Sequence, residues 1–112
     1  MIRREIVLPA ARHEVWQALT DPDRLADWFA NAAEVELRPG GRARFRWSNG
    51  EERDATITDV EPEERLAFRW ADEGDVEFTL ADDAEGTRLT VVETAPAWTT
   101  ALDLHASALA LV

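Results

Sequence analysis

Glu93 and His105 are where a catalytic reading of this chain begins. A carboxylate and an imidazole can share acid–base work when both face one cavity. Glu93 falls on the inward side of an alternating run, where a charge is costly unless paired or hydrated. The plain alternative is a rim carboxylate paired with Arg53 or wet at the end of its strand. His105 sits in the middle of a helical segment, about 10 Å beyond Trp98 at the helix rise of ~1.5 Å per residue, which is deeper than Glu93. A core or cavity-lining histidine therefore competes with a catalytic one. His13 belongs in the first turn of a helix, on its solvated side, and is assigned no role. Two separated histidines and no cysteine give no metal-ligand spacing, and no metal or cofactor is expected. Three tryptophans, Trp47, Trp70 and Trp98, gather near Glu93 once the strands are laid side by side. They either line a mouth or stack together and close it.

Two short helices and a set of strands must bring these residues together. Ile2, Ile6 and Leu8 alternate with Arg3, Glu5 and Val7 in a first strand stopped by Pro9. Val15, Trp16 and Leu19 keep helical spacing over Arg12–Thr20. Asp21 as N-cap and Pro22 at the first helical position start a second helix, which buries Leu25, Trp28 and Phe29 and ends near Asn31. Trp16 and Trp28 read as core, with Trp28 also in reach of the mouth. From Glu34 to Thr94 the period becomes two, predicting six strands in an antiparallel meander with one apolar face. Pro96 to Val112 returns to helical period, with Trp98, Leu102, His105, Leu109 and Val112 on the stripe that covers the sheet.

Register follows from the loops. A two-residue Asn49–Gly50 turn would put Phe45 opposite Asp54. An odd loop of Asn49, Gly50 and Glu51 instead pairs Phe45 with Ala55, Ala43 with Ile57 and Trp47 with Arg53, and sets Arg46 opposite Asp54. The same parity pairs Trp70 with Val76 and Phe68 with Phe78. Beyond them, Phe78 pairs with Val91, Leu80 with Leu89 and Val76 with Glu93. The arginines of the outer face then meet acidic neighbours and solvent and call for no ligand. On the inner face, Phe45, Trp47, Arg53, Phe68, Trp70, Val76, Phe78, Val91 and Glu93 join Trp28, Trp98, Leu102 and His105 as candidate ligand-binding residues. An aromatic mouth with a few polar groups suits a small-molecule pocket.

The order strand, two short helices, six strands, long helix resembles the helix-grip fold of the START and Bet v 1-like proteins, the SRPBCC superfamily. "REIVLPAARHEVWQALTDPDRLADWF", "RPGGRARFRW", "VEPEERLAFRW", "GTRLTVVET" and "AWTTALDLHASALALV" are similar to the heat-shock-protein ATPase activator homologues within it, over essentially the whole chain. The resemblance implies an α+β domain spanning 1–112, with a curved antiparallel sheet of about seven strands and a C-terminal helix over its concave face. It also implies a mouth bounded by Ala30–Ala32, Ser48–Glu51, Ala71–Asp75 and the start of the last helix. Where a capping Ser usually opens the first helix, this chain has Ala10–Ala11.

The 112 residues suit one domain, 46% of them hydrophobic. All twelve basic residues are arginine, against 23 acidic ones, for a net charge of −11. That balance opposes binding to nucleic acid or anionic membranes, and the lack of lysine removes Schiff-base chemistry. No apolar run approaches a membrane span and no signal peptide is visible, so a cytoplasmic protein is expected. A binding domain for a small hydrophobic or aromatic molecule is the leading reading. The alternatives are a cyclase- or hydrolase-like enzyme using Glu93 and His105, and a co-chaperone-like interaction domain. Leu104, Ala108 and Leu111 widen the apolar arc of the last helix, where a homodimer contact is expected.

Overall fold

In the computed structural model, which describes residues 2–28, 32–71 and 74–94, β1 (Ile2–Leu8) leads through Pro9 into α1 (Arg12–Thr20) and α2 (Pro22–Trp28). Six strands follow: β2 (Ala32–Val35), β3 (Arg42–Arg46), β4 (Glu52–Glu61), β5 (Arg65–Trp70), β6 (Asp75–Asp83) and β7 (Gly86–Glu93). All pair antiparallel in one seven-stranded sheet, ordered β1-β7-β6-β5-β4-β3-β2. The meander is as expected. The return of β1 to pair with β7, Leu8 opposite Thr87 and Ile2 opposite Glu93, sets the first strand beside the last and leaves β1 and β2 as the two edges. The helix expected over Pro96–Val112, with Trp98, Leu102, Leu104, His105, Ala108 and Leu111, lies outside the described residues.

Val15, Ala18 and Leu19 of α1 and Leu25 of α2 are buried, and their core partners are inner-face residues of β3 to β7. The helix starts differ in quality. The Asp21 carboxylate accepts the Asp23 N–H at 2.9 Å, closing the first turn of α2. Ala11 caps α1 with extended backbone (φ −68°, ψ 156°) and no side-chain bond. Asp21→Ala is expected to cost about 1 kcal/mol, and Ala11→Ser to gain a similar amount. Thermal denaturation of the two variants checks both, as Tm shifts of opposite sign.

The outer face is a ladder of ion pairs: Arg44–Asp54 at 2.9 Å, Arg46–Glu52 at 3.0 Å, Arg69–Asp75 at 2.8 Å and Arg65–Glu77 at 2.6 Å. The hydrogen bond that Arg44 donates to Asp54 pushes its pKa further up, and the one Arg69 donates to Asp75 does the same. Exposed pairs of this kind add little stability each, and they satisfy the arginines without a ligand.

Two of the expected registers are corrected. Across β3 and β4, Phe45 lies opposite Arg53, Ala43 opposite Ala55 and Arg44 opposite Asp54, a slide of two residues from the expected pairing. The loop is odd, as expected, but it consists of Ser48, Asn49 and Gly50. The Gly50 N–H reaches the Trp47 carbonyl at 3.0 Å, and the Trp47 N–H reaches the Glu51 carbonyl at 2.9 Å. A three-residue hairpin of this type needs its last loop residue left-handed, and Gly50 fills that position at φ +88°. Across β5 and β6, Phe68 faces Val76 and Leu66 faces Phe78, again two residues from expectation. The reversal is tighter than expected: the Trp70 N–H donates to the carbonyl of Gly74 (φ +98°) at 2.9 Å. The β6–β7 register, Val76 with Glu93, Phe78 with Val91 and Leu80 with Leu89, is as expected. Both slides are even, so every side chain stays on its expected face.

Candidate functional site

Five rings form a continuous wall on the inner face. Trp47 and Phe45 have centroids 6.4 Å apart, Phe45 and Phe68 6.2 Å, Phe68 and Trp70 5.1 Å, and Phe68 and Phe78 6.1 Å. Phe45 also meets Trp70 edge-on at 5.7 Å, reaching across β4. Strands two apart in a sheet are separated by about 9.6 Å. The rings close that gap because the β4 residue between them, Ala55, has almost no side chain. All these spacings suit edge or tilted aromatic packing. Val76 and Val91, each 1% exposed, continue the wall toward β7.

Two charges are buried on this face. Among the described residues, Arg53 (8% exposed) and Glu93 (1%) are the buried ionisable side chains. Alternation puts them there: Arg53, Ala55 and Ile57 face inward on β4, as Leu89, Val91 and Glu93 do on β7. The Arg53 guanidinium lies over the Trp70 ring, 4.7 Å from its centroid, where the electron-rich face attracts a cation. Glu93 stands three strands away, opposite Val76 on one side and Ile2 on the other.

Where Phe45, Phe68 and Phe78 meet the helices the lining is wholly apolar. Leu19 and Leu25 of the helices face Val35, Ala43, Ile57 and Leu66 around a void of about 20 Å³. That is room for roughly one water molecule, and an apolar lining leaves such a void dry. Pattern reading did not single out this region as a cavity, because the gap depends on how two short helices sit on the sheet. Ala43 and Ala55, two small residues at inward positions, were the available signal.

The structure thus brings together Phe45, Trp47, Arg53, Phe68, Trp70, Val76, Phe78, Val91 and Glu93 on one face. The Trp28 side chain, Trp98, Leu102 and His105 lie outside what is described. Among the described residues, no group of three or more acidic or histidine side chains is placed to hold a metal ion, and no helix is long and apolar enough to cross a membrane.

Residues 9–108 match the model of the family described as Activator of Hsp90 ATPase homolog 1-like protein. The chain belongs to that family. Activator homologue-like proteins are of the Bet v 1/SRPBCC type, and solved structures carry the same fold. The AHSA1-like protein of Aeromonas hydrophila is 27% identical with a TM-score of 0.78, over 86% of this chain and 75% of that one. DynU16, a protein in the dynemicin biosynthetic locus, is 37% identical with a TM-score of 0.77; the match covers 86% of this chain and 37% of DynU16. The Aha1 dimer of Colwellia psychrerythraea is 23% identical with a TM-score of 0.74, over 84% and 74% of the two chains. No curated protein matches this family member closely.

Proposed function

We propose that this activator homologue-like chain is a single 1–112 domain that binds a small hydrophobic or aromatic molecule against the inner face of its sheet. Residues 96–112 form the closing helix in this proposal, adding Trp98, Leu102 and His105 to the site. Leu104, Ala108 and Leu111 lie on its flank as a homodimer contact. One observation carries the reading: Arg53 and Glu93, buried among the described residues, share the inner face with a five-ring aromatic wall. An aromatic face that carries a few polar groups suits a small-molecule site. Membership of DynU16 in a biosynthetic locus fits the handling of small molecules.

A void of about 20 Å³ is far below the ~300 Å³ at which ligand pockets begin. The remaining space for the ligand, in this proposal, lies between the sheet and the closing helix. Titration with a panel of lipids and polyketide-like aromatics, followed by the fluorescence of the five tryptophans, is expected to give a saturable change for at least one planar compound. At a hundredfold excess over Kd, that compound should stabilise the fold by about 2.7 kcal/mol, a Tm rise on the order of 10 °C. A flat titration across the panel, with no change in Tm, refutes the proposal.

A further inference from the structure

We propose that Asn49–Gly50, at the tip of the β3–β4 hairpin, is a site of self-modification: the turn loses ammonia by intramolecular deamidation and keeps an isoaspartyl linkage. The backbone nitrogen of Gly50 gives up its proton to solvent hydroxide and attacks Cγ of the Asn49 side chain. The N–Cγ bond forms, the Cγ–Nδ2 bond breaks, and ammonia leaves with a proton from water, so that a five-membered succinimide remains. Water then opens the ring at either carbonyl. Opening at Cγ gives aspartate. Opening at the main-chain carbonyl gives isoaspartate, in which the chain runs through the former side chain and gains one methylene. No electrons change hands, and the sum is an amide and water going to a carboxylate and ammonium.

The turn itself calls for the residue that exposes the nucleophile. Gly50 stands at φ +88°, the left-handed last position of the loop, which glycine takes at no steric cost. Ser48, Asn49, Gly50 and Glu51 are all exposed, and a Cβ on Gly50 would meet nothing within 4 Å. Two hydrogen bonds restrain the reacting groups. The Gly50 N–H donates to the Trp47 carbonyl at 3.0 Å, and the Glu51 N–H donates to Asn49 Oδ1 at 2.9 Å. Both must open before the Gly50 nitrogen can lose its proton and turn onto Cγ. Two bonds of ordinary net strength hold the folded protein's rate about tenfold or more below that of the unfolded chain. The reaction therefore reports local opening of this turn. Its isoaspartyl product lengthens the loop by one main-chain atom, so the Gly50 bond to Trp47 and the Trp47 N–H bond to the Glu51 carbonyl, 2.9 Å, cannot both close. The hairpin loosens at the end that carries Trp47 and Arg53.

Trypsin cuts after Arg46 and Arg53 and releases residues 47–53 as one peptide, in which Asn49 is the sole side-chain amide. The full chain is held at mildly alkaline pH, native and in urea, and this peptide is followed by its mass and by separation of its aspartyl and isoaspartyl forms. Conversion is expected in both samples, mostly to isoaspartate, with the native one about tenfold or more slower. In urea Asn31 should lag behind Asn49, because it precedes Ala32, whose methyl hinders the same attack. Thermal denaturation of the aged native protein should show a fraction melting a few degrees below Asn49→Asp, which carries the aspartyl product without the added methylene. An unchanged native sample beside a reacting urea sample overturns the proposal. Equal rates in the two overturn the restraint by the turn, and an isoaspartyl-rich sample that melts with Asn49→Asp overturns the loosening of the hairpin.

Discussion

Phe68→Ala is expected to destabilise the protein by about 3–5 kcal/mol, the range for emptying a buried aromatic position. Phe68 is 5% exposed and touches three other rings at once, those of Phe45, Trp70 and Phe78. Its removal takes away the transfer energy of one side chain and also the edge contacts that hold its neighbours in place. It also borders the void under the helices, so the new space merges with an existing one and cannot be closed by a single rotamer change. Typical domains have only about 5–15 kcal/mol in total, so the variant should unfold at much lower urea with an unchanged m value. Adding a benzene-sized solute is expected to restore part of the loss, as it does for apolar cavities elsewhere. A loss under 1 kcal/mol would mean that the aromatic wall is not packed as described and that its rings are free to part without cost.

How far the fold and this wall were legible in the sequence depends on the kind of signal. Period two assigned the inner face correctly from β3 to β7, and with it the inward aim of Arg53 and Glu93. The same signal is blind to a shift of two residues. Phe45 opposite Ala55 and Phe45 opposite Arg53 give the same alternation, and the pattern of apolar residues cannot choose between them. The choice was made by the turn: Gly50 fits the left-handed last position of a three-residue loop, whereas the expected loop left it in the middle. The contact between Phe45 and Trp70 was beyond pattern reading, because it joins strands two apart through the space above Ala55. The pairing of β1 with β7 had no local signal either, since two helices and five strands intervene. Arg53 and Glu93 were therefore readable as buried charges, while the ring that Arg53 covers was not.

The junction that sets this long-range pairing should be the most sensitive point to a single added methyl. Gly86 opens β7 at φ +141°, a conformation that side chains rarely adopt. A Cβ there would collide with the Leu8 carbonyl oxygen and sit 2.9 Å from the Ala10 nitrogen. Both obstacles are backbone, fixed by the Ala10 N–H bond to Leu8 at 2.9 Å and by the buried Thr87 hydroxyl, which donates to the Ala10 carbonyl at 2.7 Å. Neither can swing aside, so β1 and β7 have to separate or the whole turn has to shift. Gly86→Ala is expected to cost more than about 2 kcal/mol. Gly50→Ala supplies the control: its φ of +88° is also left-handed, but a Cβ there meets nothing within 4 Å, so only the conformational cost of about 1 kcal/mol applies. Equal losses in the two variants, measured by chemical denaturation, would remove the close approach as the cause. A larger loss at Gly86 has a further consequence for binding, because β7 carries Glu93 at its far end. In a folded Gly86→Ala protein, a displaced β7 moves that carboxylate relative to Val76, and ligand affinity should fall although the mutated residue lies at the other end of the strand.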